Sequence, residues 1–274
     1  MQELAGVIRI PYSPRPLQKT LHDELDRFNV LVCHRRFGKT VFAINQLIKD
    51  AFNCKHSNAR VAYLAPLYRQ AKSVAWDYVK QFCRPIPGVK FNEQELRADF
   101  ANGARIQLYG CDNPDSLRGI YLDSVCLDEY AQMSPRVWSE VIRPALSDRQ
   151  GRAVFIGTPM GHNAFYDRYV ACDGLEGWFS ALYKASDTKI VNDIELAAAK
   201  REMTDAEYQQ EFECSWSAAI RGAYWATEMQ AAEEDGRITS VPYDENYPVV
   251  TSWDLGIKDS TVIWFAQEVG SEVR

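Results

Sequence analysis

The chain alternates short apolar runs with segments in which apolar residues recur at helical spacing. The apolar runs predict buried strands at residues 29–33, 60–65, 124–127 and 153–156. The helical spacing predicts helices at about residues 17–27, 39–52, 68–82 and 135–146. Residues 89–109 predict two or three short antiparallel strands with a turn at Asn102-Gly103. Strands that alternate with helices predict an α/β fold with a mostly parallel sheet, covered by helices on both faces.

The pattern changes in the last part of the chain. Residues 190–235 have helical periodicity, and residues 236–248 are rich in glycine, proline, aspartate and asparagine, as is typical of a linker. A new apolar strand opens at Val249. The stretch from there to Arg274 is too short to form a domain. We therefore expect it to be the first hairpin of a longer structure.

Composition excludes several classes of protein. Of the 274 residues, 46% are hydrophobic and 25% are charged, which is ordinary for a globular protein. The seven cysteines show no C-x-x-C spacing, so we expect reduced, buried thiols and no zinc site. Neither a signal peptide after Met1 nor a membrane span is predicted. The net charge of −6 does not favour nucleic-acid binding, so any DNA contact requires a local basic patch.

A candidate phosphate-binding loop joins the first predicted strand to the next helix. It runs Cys33-His34-Arg35-Arg36-Phe37-Gly38-Lys39-Thr40 and matches G-x-x-x-x-G-K-[ST] except at Cys33. Backbone N–H groups of such a loop hold phosphate, the lysine neutralises the β/γ oxygens, and the threonine hydroxyl binds Mg²⁺. Gly38 lets the backbone approach closely. The alternative is a surface turn that contains Gly-Lys-Thr by chance.

An acidic pair ends the strand predicted at residues 124–127. An acid at the carboxyl end of a parallel strand lies beside the phosphate loop. Asp128 is then predicted to hold Mg²⁺ through water, and Glu129 to activate the attacking water. The alternative is a solvated turn. Together the two motifs predict ATP hydrolysis by a P-loop ATPase of the class with a catalytic glutamate and an additional strand, which we assign to residues 60–65.

Together with the phosphate loop and the acidic pair, Arg35 and three further segments complete a pattern that resembles the large terminase subunit of tailed bacteriophages. Arg35 stands three residues before the Gly-Lys-Thr, in a family that tolerates a non-glycine residue at the position of Cys33. The resemblance implies that Gln18, in Pro16-Leu17-Gln18, contacts adenine, with Tyr12 stacking on the base. It also implies that Gly157-Thr158-Pro159 couples loss of the γ-phosphate to motion. Ser116-Leu117-Arg118-Gly119 resembles a family segment to which we assign no chemistry.

Ring ATPases place a cation on the phosphate held by a neighbouring subunit. Arg143, in Val141-Ile142-Arg143-Pro144-Ala145-Leu146, is our candidate for this arginine finger. Arg136 and Arg149 are alternatives, and an ordinary surface role stays open for each arginine. For DNA contact, the basic pairs Arg69/Lys72 and Arg149/Arg152 are candidates.

Residues 252–259 resemble the opening strand of the family's RNase H-like nuclease, and Asp254 matches its first metal-binding carboxylate. Two-metal nucleases need several carboxylates. We therefore expect cleavage with Mg²⁺ or Mn²⁺ only from a longer form. The implied layout is an ATPase motor at residues 1–240 with a helical lid at 175–235, a linker at 241–248, and a truncated nuclease start at 249–274.

The resemblance implies a motor that uses ATP to move double-stranded DNA into a procapsid in the host cytoplasm. The implied partners are the portal protein, the small terminase subunit and further copies of the chain in a ring, expected to be a pentamer, although a monomer in isolation is left open. Two alternatives remain. A helicase-like ATPase would need a second RecA-like domain, and a slow ATP-dependent switch would not need Glu129.

Overall fold

The protein is described by a computed structural model that covers residues 9–216, 228–229, 231–232, 235–256, 261–270 and 272–273. The chain divides into two compact units, Met1–Arg221 and Gly222–Arg274. Parts of the predicted lid (217–227, 230 and 233–234) and of the predicted nuclease segment (257–260, 271 and 274) lie outside the described residues. Within the described part of the chain, no helix is long and apolar enough to cross a bilayer.

The first unit is built on one eight-stranded sheet. Its strands are β1 (Phe28–Cys33), β2 (Arg60–Ala65), β3 (Lys90–Asn92), β4 (Arg97–Asp99), β5 (Arg105–Gly110), β6 (Ser124–Asp128), β7 (Arg152–Gly157) and β8 (Trp178–Tyr183). Their order across the sheet is β3-β4-β5-β2-β6-β7-β1-β8. Within this spatial order, the strands β5, β2, β6, β7, β1 and β8 all run parallel to one another. The short strand β4 pairs antiparallel with both of its neighbours, β3 and β5. The predicted mostly parallel α/β sheet is confirmed.

Nine α-helical segments between residues 16 and 211 connect or flank the strands of the eight-stranded sheet. They are α1 (Pro16–Glu24), α2 (Lys39–Asn53), α3 (Tyr68–Gln70), α4 (Trp76–Cys83), α5 (Arg143–Ala145), α6 (Ala164–Ala171), α7 (Ala185–Thr188), α8 (Asp193–Glu202) and α9 (Asp205–Glu211). π-Helical turns at Ala71–Ala75 and Val137–Ile142 interrupt the helices predicted at residues 68–82 and 135–146. The prediction of helix at these positions holds, but periodicity alone does not reveal the extra residue per turn.

The sheet separates two hydrophobic layers because strand side chains alternate between its faces. On one face, Leu31 and Ile156 pack under α2. On the other face, Val30, Leu127 and Phe155 pack against residues of the segment 137–146 and of α6. Six of the seven cysteines are buried, Cys54 is partly buried, and all seven are free thiols, as predicted. The layers fix the strand ends and therefore the position of the loops that follow them.

The structure differs from the sequence-based expectations in two places. Residues 178–183, which the predicted lid included, form β8 and pair with β1 at the edge of the sheet. Every residue of this strand is half-buried, so it does not form the continuous apolar run that marks a central strand. The assignment of the additional strand to residues 60–65 is wrong, because the strand that lies between β1 and β6 is β7, and β2 lies on the far side of β6.

The second unit contains a small antiparallel sheet of β9 (Val249–Asp254), β10 (Val262–Val269) and β11 (Glu272–Val273) in the order β11-β10-β9. The strand predicted to open at Val249 is present and pairs with β10. Gln267 of β10 donates hydrogen bonds to the carbonyls of Asp244 (2.7 Å) and Tyr247 (2.8 Å). The end of the predicted linker is therefore fastened to this sheet.

Candidate active site

The carboxyl ends of β1, β6 and β7 meet at one edge of the sheet. In the parallel register, Val32 pairs with Gly157, and Asp128 pairs with Ile156. The phosphate loop after β1, the acidic pair at the end of β6 and the coupling motif at the end of β7 are thereby brought together. Ligands of open α/β sheets bind at this edge.

Gly38 allows the loop to turn into α2. Its φ of 95° lies in the left-handed region, and a Cβ atom there would lie 2.8 Å from Nε2 of Gln18. Both features favour glycine. The N-terminus of α2 begins at Lys39, so the helix dipole and the free N–H groups of its first turn face the loop. This arrangement suits an anion.

Lys39 connects the phosphate loop to the coupling motif. Its buried ammonium donates to Oγ1 of Thr158 at 2.9 Å and to the carbonyls of Cys33 (3.2 Å) and His34 (3.5 Å). The Oε1 atom of Glu129 lies 3.9 Å from the same nitrogen. These contacts hold a positive charge beside the loop without a close carboxylate partner, which leaves the charge available to phosphate oxygens.

Asp128 is buried and accepts three hydrogen bonds. Its Oδ2 accepts from Oγ1 of Thr40 at 3.0 Å and from the hydroxyl of Tyr63, and its Oδ1 accepts from the N–H of Glu129 at 3.0 Å. Burial, then the charge of Asp128, raises the pKa of Tyr63 well above its ordinary value, so Tyr63 is a phenol that donates. A threonine hydroxyl and a carboxylate are the donor set that Mg²⁺ prefers, so these residues fit the ion.

Glu129 sits in a left-handed turn, with φ 52° and ψ 44°. The end of β7 lies beside this turn, since a Cβ atom at Gly157 would lie 3.4 Å, an ordinary contact distance, from both the Cα of Glu129 and the backbone nitrogen of Tyr130. Burial raises the pKa of Glu129, and the ammonium of Lys39 opposes that shift. A carboxylate with a raised pKa accepts a proton more readily, which suits a general base.

Gln18, which is predicted to contact adenine, and the nearby Arg15 both contact the loop. Gln18 is buried, its Oε1 accepts from the backbone N–H of Arg15 at 3.0 Å, and its Nε2 donates to the carbonyl of Gly38 at 3.2 Å. An amide has two N–H groups and two acceptor positions, so Gln18 retains one donor and one acceptor for a base. The guanidinium of Arg15 donates to the carbonyl of Phe37 at 3.0 Å. Sequence reasoning missed this role of Arg15.

The protein-family comparison matches the same segment. Residues 34–231 fit the family described as "Terminase large subunit, T4likevirus-type, N-terminal". This match covers more than half of the chain. The chain belongs to the large terminase family.

Curated large terminase subunits support the assignment to this family. The subunit from Thermus virus P23-45 is 31% identical over 200 residues, which cover 66% of this chain and 40% of that protein. The subunit from Escherichia phage T5 is 25% identical over 255 residues, which cover 89% of this chain and 56% of that protein. The chain therefore spans about half the length of these relatives, or less.

Solved terminase structures share the fold. The large terminase ATPase domain of Thermus phage P74-26 has a TM-score of 0.68 and 24% identity, over 76% of this chain and 95% of that domain. The large terminase of a thermophilic bacteriophage in complex with ADP has a TM-score of 0.60 and 16% identity, over 92% of this chain and 62% of that chain. These similarities confirm the P-loop ATPase fold of the terminase chain.

Tyr12 of this terminase chain packs between α1 and α4. Its ring makes edge contacts with the rings of His22 (5.7 Å) and Phe82 (5.9 Å), and its hydroxyl lies 3.0 Å from Nε2 of His22. Burial raises the pKa of Tyr12 to about 12. Stacking of Tyr12 on adenine stays a prediction.

His22 joins Tyr12 to α2. Its Nδ1 lies 2.6 Å from Oε1 of Gln46, and Nε2 of Gln46 donates to Asp50 at 2.8 Å. The pKa of His22 is lowered, chiefly because burial disfavours the charged ring. The hydrogen bond to Gln46 and the charges of Asp23 and Asp50 oppose this shift, whereas Lys49 adds to it.

This histidine is expected to make folding sensitive to mild acid. The unfolded chain protonates His22 first, at a pKa near 6.5. The contribution of neutral His22 to the free energy of unfolding is fully present above that pH. It is lost as the pH falls towards the lower pKa of His22 in the folded state. We expect the free energy of unfolding of the parent, minus that of His22→Gln, to decrease from about pH 7.5 to about pH 5.5 in urea denaturation. Both proteins contain the same carboxylates, so the effect of carboxylate titration cancels in the subtraction. A difference that does not change with pH would contradict the lowered pKa of His22.

The phosphate loop is also joined to the helices that follow β8. The side chain of His34 donates from Nδ1 to the carbonyl of Arg35 at 2.6 Å and accepts at Nε2 from Oγ1 of Thr188 at 2.8 Å, because a carbonyl can only accept. The N–H of Arg35 donates to the carbonyl of Glu211 at 2.7 Å, and the two side chains form an ion pair at 3.5 Å. Arg35 therefore contacts α9 as well as the loop.

Two other loop residues have different environments. Arg36 is exposed and adopts a φ of 71°. Phe37 is fully buried and stacks on Tyr183 at 5.1 Å, so its side chain anchors the loop to the end of β8. The side chain of Phe37 is therefore turned into the core, and only its backbone can face the predicted nucleotide.

The three candidate finger arginines differ in their partners. Arg143 lies over the ring of Phe28 at 5.4 Å, at the opposite end of β1 from the phosphate loop. Arg136 forms two hydrogen bonds to Glu140, at 2.8 and 3.0 Å. The other candidate, Arg149, pairs with the buried carboxylate of Asp123 at 3.3 Å. Within the described residues, Arg143 alone of the three has no carboxylate partner.

The structure separates the remaining candidates. Arg152 pairs with Asp50 at 2.8 Å, and Arg149 is paired as above, so both members of that basic pair support the fold. Arg69 and Lys72 are exposed beyond the end of β2. Asp254 is exposed at the end of β9, and the described part of the chain contains no cluster of three or more metal-ligand side chains.

Proposed function

We propose that the chain is the ATPase motor domain of a terminase that moves double-stranded viral DNA into a procapsid through the portal. The observation that carries the proposal is the convergence of Lys39, Thr40, Asp128, Glu129 and Thr158 at one edge of the sheet. Membership of the large terminase family supports the choice of DNA packaging among the processes that use such a site.

The proposed reaction is attack of water on the γ-phosphorus of ATP. Glu129 accepts a proton from the attacking water while the bond from the γ-phosphorus to the β-γ bridging oxygen breaks, giving ADP and phosphate. Lys39 neutralises charge on the phosphate oxygens. Thr40 and Asp128 would hold Mg²⁺, the first directly and the second through water. When bound, the ion neutralises charge on the β- and γ-phosphates.

The contacts of the loop suggest how hydrolysis is coupled to motion. Thr158 bonds the ammonium of Lys39, so a change at the γ-phosphate reaches β7 through one side chain. The N–H of Arg35 donates to the carbonyl of Glu211, and phosphate bound in the loop would compete for such N–H groups. Because α7, α8 and α9 share a small core of their own, we propose that they move together as the lid.

The wider assembly follows from family membership as a proposal. Copies of the chain form a ring, expected to be a pentamer, on the portal of a procapsid in the host cytoplasm, with the small terminase subunit as a further partner. Arg69 and Lys72 are the proposed DNA contacts, since both are exposed. The longer protein cuts DNA with Mg²⁺ or Mn²⁺, and Asp254 supplies one carboxylate of that second site.

The test is phosphate release with and without linear double-stranded DNA. We expect slow turnover by the purified chain and a faster rate with blunt double-stranded DNA, because packaging acts on duplex. A helicase-like ATPase would respond best to single strands and would displace a strand from a forked duplex. A nucleotide switch would bind ATP and release almost no phosphate. Either of the last two outcomes would contradict the proposal.

A further inference from the structure

The carboxylate of Asp128 is almost fully occupied by protein donors. An ionised carboxylate offers about four acceptor positions on its two oxygens. The hydroxyls of Thr40 and Tyr63 fill the two positions on Oδ2, and the N–H of Glu129 fills one on Oδ1. A single acceptor position remains, and it is on Oδ1.

Tyr63 reaches Asp128 because of the strand order. β2 lies directly beside β6, and Tyr63 pairs with Cys126 in the parallel register. Side chains two residues apart share a face of the sheet, so Asp128 projects on the same side as Cys126 and Tyr63. Tyr63 is 3% exposed and is held within the core beneath α2. Its hydroxyl is therefore presented in a fixed place.

We propose that Tyr63 is a positioning residue for the metal ion of this ATPase. Its hydroxyl occupies Oδ2 of Asp128 and so leaves Oδ1 as the oxygen that accepts from a water bound to Mg²⁺. The proposal rests on the proposed function, in which Asp128 holds Mg²⁺ through water. It extends that function by giving β2 a part in metal binding.

A phenylalanine at this position would keep the ring and lose the donor. Oδ2 would then have a second free acceptor position, and the carboxylate could present either oxygen to the metal-bound water. Hydrogen-bond partners of metal-binding groups are typically worth about 10–100-fold in metal affinity or activity. Loss of the hydroxyl should weaken the response to Mg²⁺ and leave the phosphate loop intact.

The experiment compares Tyr63→Phe with Tyr109→Phe. Tyr109 lies on β5, the other strand next to β2, and packs against the hydrophobic layer on the other face of the sheet. Tyr109→Phe is therefore a matched control, because it also removes one phenol hydroxyl. Binding of a fluorescent ATP analogue is titrated with Mg²⁺ and repeated in EDTA, and the midpoint of thermal unfolding is recorded. For Tyr63→Phe we expect unchanged affinity in EDTA and about a 10-fold or greater rise in the Mg²⁺ concentration for half-maximal effect. Tyr109→Phe should match the parent.

A double-mutant cycle separates positioning from a general loss of stability. In an Asp128→Asn background, Tyr63→Phe should change the Mg²⁺ response little further, because the group that it positions is gone. A parent-like Mg²⁺ response in Tyr63→Phe, or an effect that persists in full beside Asp128→Asn, would overturn the role of Tyr63 alone. A parent chain that binds the analogue with no influence of Mg²⁺ would overturn the metal site of the proposed function, and the role of Tyr63 with it.

Discussion

Glu129→Gln is expected to bind ATP as the parent does and to lose turnover by about 10²–10⁴-fold, the usual contribution of a general base. Glutamine has nearly the same size, so the left-handed turn and the contact with β7 should persist. Its amide oxygen cannot accept the proton of the attacking water. Single-turnover phosphate release and equilibrium binding of a fluorescent ATP analogue measure the two properties separately.

The matched control is Glu202→Gln, which removes an exposed carboxylate at the end of α8. It changes the net charge by the same amount and should hydrolyse ATP at the parent rate. If Glu129→Gln also hydrolyses ATP at the parent rate, another group activates the water. If it fails to bind the analogue, Glu129 instead supports the loop, through Lys39.

Local sequence was sufficient wherever a motif and its structural element lie together in the chain. Gly38, Lys39 and Thr40 follow a buried apolar run and open an amphipathic helix, so their strand, turn and helix could be predicted together. Asp128 and Glu129 end a similar run. Because both runs are central parallel strands, their carboxyl ends meet, and the two motifs lie together at one edge of the sheet, as expected.

Contacts that depend on strand order could not be predicted in this way. Tyr63 touches Asp128 because β2 lies beside β6, and no local pattern gives that neighbourhood. The same limit explains why the additional strand was assigned to β2 instead of β7. A hydroxyl inside an otherwise apolar strand was nevertheless a signal, since a buried polar group needs a partner. Arg15, in a proline-rich loop, offered no comparable signal.

Arg143→Ala is expected to fold, bind ATP normally and hydrolyse it slowly at every protein concentration. The parent rate should rise more than linearly with concentration, because Arg143 lies at the far end of β1 from its own phosphate loop and can act only on a neighbour's. A finger supplied by another subunit is worth about 10³–10⁵-fold in rate. Loss of the cation–π contact with Phe28 should cost about 0.5–1 kcal/mol, which thermal unfolding would register as a small shift.

Mixing inactive variants gives the sharper test. Where a Lys39→Ala subunit meets an Arg143→Ala subunit, the first donates an intact arginine to a neighbour with an intact phosphate loop, so part of the activity should return.

Arg136→Ala, tested in the same mixture, should be active on its own, because Glu140 engages the guanidinium of Arg136 in the parent. Arg149→Ala is a less specific probe, because it leaves the buried carboxylate of Asp123 without its partner and should destabilise the fold. If the mixture stays inactive at concentrations at which parent subunits associate, Arg143 does not act between subunits. The finger must then come from elsewhere in the chain.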